Sequence, residues 1–123
     1  MMEIKFRAKG KDGKWYYTDP QRPSVFWADI ESGFLDINTL GQFSGCHDKY
    51  GDEIYAGDIL EYMTVGLKEN GLVRDEVIFQ KGGFRVLRHT DLDLSAGTTH
   101  LFVDASVFHR IGNIHDNPEL LKC

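Results

Sequence analysis

The side chains with the most chemical potential are Cys46, His47, His109 and His115, with Asp48 and Asp116 beside two of them. Thiolate and imidazole are good zinc ligands, so this set invites a metal reading. The spacing argues against it. Cys46 and His47 are adjacent, so on an extended chain they point apart, and neither a C-x-x-C pair nor an H-x-x-x-H step is present. A hydrolytic reading would join Ser44 or Cys46 to a histidine and to Asp48 or Asp58, but no nucleophile-elbow or acyl-transfer signature surrounds them. The run from Asp48 to Glu53 has the acidity of a calcium loop. It lacks the alternating oxygen ligands, and Ile59 stands where the bidentate glutamate should be. Gly82-Gly83 is not a phosphate cradle, because no helix with a Lys-Ser/Thr step follows. No catalytic, cofactor-binding or metal-ligating residue is therefore assigned, and the reading leans away from an enzyme.

Two other features could serve binding, although ordinary packing or a solvated face explains each more simply. Trp15, Tyr16, Tyr17, Phe26 and Trp27 concentrate aromatic surface. On a strand, Trp15 and Tyr17 share one face and Tyr16 takes the other, so one face is expected in the core and the other suits a partner or subunit interface. Residues 1–22 hold six basic residues against three acidic ones, whereas residues 29–61 hold eight acidic residues and only Lys49. A chain of net charge −5 lacks the overall footprint of a nucleic-acid binder. Only Lys5, Arg7, Lys9 and Lys11 could form a local basic patch, and a solvated strand face is the simpler explanation of them.

The elements that must position these residues read as short strands and turns. Ile4–Ala8 alternates with period two, Asp12-Gly13 marks a turn, and Trp15–Tyr17 returns as the second arm of a hairpin. Asp19-Pro20 and Arg22-Pro23 interrupt regular structure. Val25–Ala28 reads as a short strand, although strand and helical turn both remain open for residues 25–37. Phe34–Ile37 and Leu40–Phe43 read as two separate apolar pieces. Asp48 and Gly51 make a turn, and Gly57-Asp58 makes a corner that opens a strand through Tyr62. Residues 63–71 read as an extended loop with its turn at Asn70-Gly71. Leu72–Phe79 and Phe84–Arg88 read as a hairpin across Gly82-Gly83, residues 89–99 as a polar loop or irregular helix, and Leu101–Val103 and Val107–Ile111 as two further strands. Asn117 is expected to cap a short helical turn opened by Pro118.

Residues 43–59, from Phe43-Ser44-Gly45 through Asp48-Lys49-Tyr50-Gly51 to Gly57-Asp58-Ile59, resemble the "TGL-DKNGKEIYEGDIV" signature of the YopX family. Ile111–Leu121 resembles that family's closing "IGNIYENPELL", and the opening Glu3–Ala8 and the hairpin around Gly83 stand where the family has them. The chain departs at Tyr50, which replaces the usual turn-forming Asn, at Cys46-His47, which replaces Leu-Lys, and at His115, which replaces Tyr. The resemblance implies a small phage- or prophage-encoded, mostly β protein. The family has no established activity, so no functional residue is carried over.

The expectation is thus one domain over residues 1–123, mostly β. It should form a bent antiparallel sheet or SH3-like barrel with a short C-terminal helical turn; an α+β arrangement is the alternative. With two cysteines and no apolar run of membrane-spanning length, it is expected in the cytoplasm, away from membranes and without a cofactor. Functionally it reads as a non-enzymatic binding or assembly module that self-associates as a homo-oligomer or meets a phage or host protein. A nucleic-acid accessory factor using the basic hairpin is the alternative, followed by a metal-dependent or hydrolytic enzyme.

Overall fold

The computed structural model describes residues 4–64, 71–80, 83–88, 98–100 and 108–121. The chain is mostly β: among the described residues it forms a curled antiparallel half-barrel sheet, a second small sheet and one α-helix. The expected β class holds, and the bent open sheet is the form it takes. In chain order the elements are β1 (Phe6–Gly10), β2 (Trp15–Tyr17), α1 (Pro23–Ser32), β3 (Leu35–His47), β4 (Glu53–Tyr55) and β5 (Asp58–Thr64). They are followed by β6 (Gly71–Gln80), β7 (Gly83–Arg88), β8 (Thr98–His100), β9 (His109–Asn113) and a 3-10 helix at Pro118–Leu121. Four strands pair in the order β2-β1-β3-β4 and five in the order β8-β7-β6-β5-β9.

The hairpin forms where Asp12-Gly13 predicts it. Gly13 takes a φ of 80°, and the register sets Arg7 against Tyr17, Ala8 against Tyr16 and Lys9 against Trp15. This register sorts the strand faces. Ala8 and Tyr16 join Phe26, Leu35, Ile30 and Phe34 in a core under α1. Arg7, Lys9, Trp15 and Tyr17 face the opposite way, toward the second sheet. At Arg7 both faces of β1 are therefore covered, so Arg7 is nearly as buried as its neighbour Ala8.

Residues 25–28 belong to α1, so of the strand and helix alternatives open for this stretch the structure takes the helix. Pro23 supplies the fixed φ of a first helical turn, and Gly33, at φ 87°, ends the helix with its N–H on the Ile30 carbonyl. Phe26 and Ile30, four apart, then meet the Ala8–Leu35 core. Tertiary burial overrides the β preference of Val25-Phe26-Trp27. The two apolar pieces at 34–43 are likewise one strand, β3, which pairs with β1 in its first half and β4 in its second. It bends near Gly45, at φ 85°, where the β3–β4 register shifts between Phe43 and His47.

The turn at 48–51 is built as expected. Asp48 Oδ1 accepts from the N–H of Tyr50 and of Asp52, and its Oδ2 accepts from Arg110 N on β9. Gly51, at φ 88°, is the left-handed residue, so Tyr50 at the family's asparagine position is tolerated. Met63 and Thr64, read as loop, extend β5, and Gly71 begins β6. The β6–β7 hairpin closes with Gln80 opposite Gly83. Thr98–His100 forms β8; readings at 65–70, 89–97 and 101–107 lie outside the described residues. Asn117 does not cap through its side chain. Its Oδ1 turns back to Asn113 N at 3.4 Å, and the 3-10 turn closes from Leu120 N to the Asn117 carbonyl. The second core gathers Ile54, Leu60, Val77, Phe84 and Phe108.

Candidate functional site

The face of the hairpin turned away from α1 forms one wall of a polar cleft of about 290 Å³. The end of β9 and the turn after it form the other wall. Arg7 and Asp58, buried and 51 positions apart in sequence, line it. Arg7 Nη2 donates to Asp58 Oδ1 at 2.6 Å, and their side chains are 4% and 1% exposed. Asp58 reaches this place because Gly57, at φ 96°, turns the chain sharply out of β4. Its second oxygen accepts the Tyr55 N–H at 2.7 Å, so one carboxylate ties the corner to the neighbouring sheet. Burial pushes the Asp58 pKa up, against the pull of Arg7 and the Tyr55 N–H.

The Arg7 guanidinium is held between two rings, 4.6 Å from the Trp15 centroid and 4.7 Å from that of Tyr55. Around it, polar groups are locked in pairs. Trp15 Nε1 donates to Asp116 Oδ2 at 2.9 Å, Lys9 pairs with Asp116 Oδ1, and Asn113 Nδ2 also donates to Asp116. Lys9 chiefly, with Trp15 and Asn113, holds the Asp116 pKa at about 2. Asn113 Oδ1 accepts from the N–H of His115 and of Asp116, which shapes the turn. Tyr55 OH donates to Glu53, which pairs with Lys5 at 3.1 Å. Arg110 enters the cleft from β9 and donates Nη1 to the Glu53 carbonyl at 3.2 Å. A larger hollow of about 400 Å³ lies beside Gly33 and Phe34. Its lining holds no buried charged side chain, so its chemistry is weaker.

The residues singled out from sequence do not converge. Cys46 is half-buried against the second core, and burial pushes its thiol pKa up, away from reactivity. His47 packs edge-on to Phe43, and His109 packs against Tyr50. His115 sits beside Trp15, and burial, aided by Arg7, lowers its pKa. Ser44 Oγ accepts from the Cys46 N–H. Among the described residues no three His, Cys, Asp or Glu side chains form a group that could hold a metal ion. The basic hairpin is also not a row of free cations, since Lys5, Arg7 and Lys9 are each in an ion pair. Sequence reasoning missed the Arg7–Asp58 pair. The signal available was the hairpin register, which sets Arg7 on the face of Trp15 and Tyr17.

The profile of the family described as YopX protein matches residues 3–122. The chain belongs to the YopX family. Both elements of the cleft thus lie within the matched YopX region. In structure, this YopX chain is similar to protein EF1440 from Enterococcus faecalis, known from a crystal structure. The TM-score is 0.57 at 20% identity, over 99% of this chain and 100% of that one, a likeness of fold alone. No curated protein matches the chain in sequence. No helix among the described residues is long and apolar enough to cross a membrane.

Proposed function

We propose that the chain is a non-enzymatic binding module of phage or prophage type, acting in the cytoplasm through the Arg7–Asp58 cleft. The observation that carries this reading is how the cleft's polar groups are engaged. Both oxygens of Asp58 and both of Asp116 already accept hydrogen bonds, so neither carboxylate is poised as a base or nucleophile. Ser44 and Cys46 belong to β3 and are not part of the cleft lining. What the cleft offers is a preorganised surface of fixed charges and rings, which suits recognition. The test is capture from host cells with the intact chain and with Arg110→Gln, the fold of each checked by circular dichroism. A stoichiometric species retained by the first and lost by the second is expected. Equal capture by both would remove the reading.

A second reading, self-association, has its own support. Val25, Trp27, Ile37, Tyr50 and Phe79 are exposed apolar side chains, and among the described residues the outer strands β2 and β4 of the four-stranded sheet each have a strand partner on one side only. Light scattering coupled to gel filtration is expected to give a mass above 14.0 kDa, and a monomer at high concentration would remove it.

A further inference from the structure

We propose that the cleft takes a monocarboxylate: a carboxylate carried on a flat apolar body, seated between Arg7 and Arg110 with that body against Trp15 and Tyr17. This rests on the binding reading above and names the ligand's chemistry. The hydrogen-bonding groups that remain in the cleft are donors. The acceptors of Asp58, Asp116 and Asn113 are all engaged within the protein. The donors are not. Arg7 Nε has no hydrogen-bond partner although Arg7 is only 3% exposed. Arg110 donates Nη1 to Glu53, and among the described residues its Nε and Nη2 have no partner. A buried guanidinium donor without a partner is costly, so this site favours a ligand that accepts.

The charge of the cleft also favours a monoanion. Arg7, Lys9 and Arg110 stand against Asp58 and Asp116, one positive charge in excess. A monoanion neutralises that excess, whereas a dianion such as phosphate would reverse it and face two carboxylates. The shape of the cleft fits as well. About 290 Å³ suits one small molecule or one residue of a peptide, and the planar guanidinium matches a carboxylate in paired hydrogen bonds.

Nitrogen-proton correlation NMR gives a local readout, because the chain has two tryptophans. Trp15 Nε1 lies in the cleft, while Trp27 packs on Phe6 and Phe26 on the α1 side. The probes are benzoate, the neutral benzamide, inorganic phosphate, N-acetylphenylalanine, and an acetylated peptide ending in phenylalanine as free acid or amide. Benzoate is expected to shift the Trp15 indole signal saturably and leave Trp27 in place. Benzamide and phosphate should do neither. Arg110→Gln should weaken benzoate roughly tenfold or more, as loss of a charge-assisted contact implies. It also keeps the test independent of Arg7, whose replacement threatens the fold. N-acetylphenylalanine binding as tightly as the free-acid peptide would assign the carboxylate to a small acid, and tighter peptide binding to a chain terminus. Equal response to benzoate and benzamide, or a stronger one to phosphate, overturns the proposal. If capture still depends on Arg110, only the ligand class falls; if it does not, the binding reading falls too.

Discussion

Replacing Asp58 by asparagine tests the central claim that one carboxylate holds the two sheets together. The side chain is 1% exposed, its Oδ1 lies 2.6 Å from Arg7 Nη2, and its Oδ2 receives the Tyr55 N–H at 2.7 Å. Asparagine has one oxygen for two donors, so its amide nitrogen must face either the guanidinium or the peptide N–H. The charge is also gone, leaving Arg7 buried between Trp15 and Tyr55 with no counter-ion. Breaking a buried pair from one side costs about 3–5 kcal/mol, a large share of the roughly 5–15 kcal/mol that stabilises a domain of this size. In thermal terms that is a fall of roughly 10–20 °C. The companion Arg7→Met strands Asp58 instead and should cost about as much. The double variant Arg7→Met/Asp58→Asn removes both charges, and the asparagine oxygen can still accept from Tyr55. It should therefore be more stable than the sum of the two losses predicts, by about 2 kcal/mol or more. Urea unfolding of all four proteins measures the cycle. A loss under about 1 kcal/mol for Asp58→Asn, or additive losses, would refute the reasoning.

Acidification should destabilise the protein through groups whose folded pKa is depressed. Asp116, at about 2, contributes stability that is full above the ordinary aspartate range and lost as pH falls from about 5 toward 2. With its partial exposure that contribution is about 1 kcal/mol, and Asp116→Asn should flatten the pH profile of urea midpoints accordingly. Asp48→Ala removes an acceptor from three backbone N–H groups that join the 48–52 turn to β9, and should cost about 3 kcal/mol by the same assay. Gly41→Ala would place a methyl 2.5 Å from the Ala56 carbonyl oxygen, a backbone atom, and should cost about 1–3 kcal/mol with cooperative unfolding retained.

Much of the local structure follows from short-range chemistry. Asp12-Gly13, Asp48 with Gly51, and Gly57-Asp58 name their turns because glycine supplies the positive φ and aspartate the nearby acceptor. Alternation identifies the strands, and the motifs at 43–59 and 111–121 point to the family, which the match over residues 3–122 bears out. Local chemistry left open what tertiary burial decided. Val25-Phe26-Trp27 has β character, yet Pro23 and Gly33 bound a helix that buries Phe26 and Ile30. Arg7 belongs by composition to a basic patch, yet it is buried because a second sheet covers the face it shares with Trp15 and Tyr17.

The sequence by itself thus determined the β class, the hairpins, the turns and the family, since each depends on residues a few positions apart. Only the tertiary structure decided where the cleft lies and what lines it. Arg7 and Asp58 are 51 residues apart, and Trp15 and Asp116 are 101 apart. No local pattern encodes such partners. They meet because the Gly57 corner and the β5–β9 pairing carry Asp58 and the 113–116 turn against the open face of the hairpin. Burial there turns surface-type residues into a fixed ion pair, and leaves the guanidinium donors that set the character of the cleft.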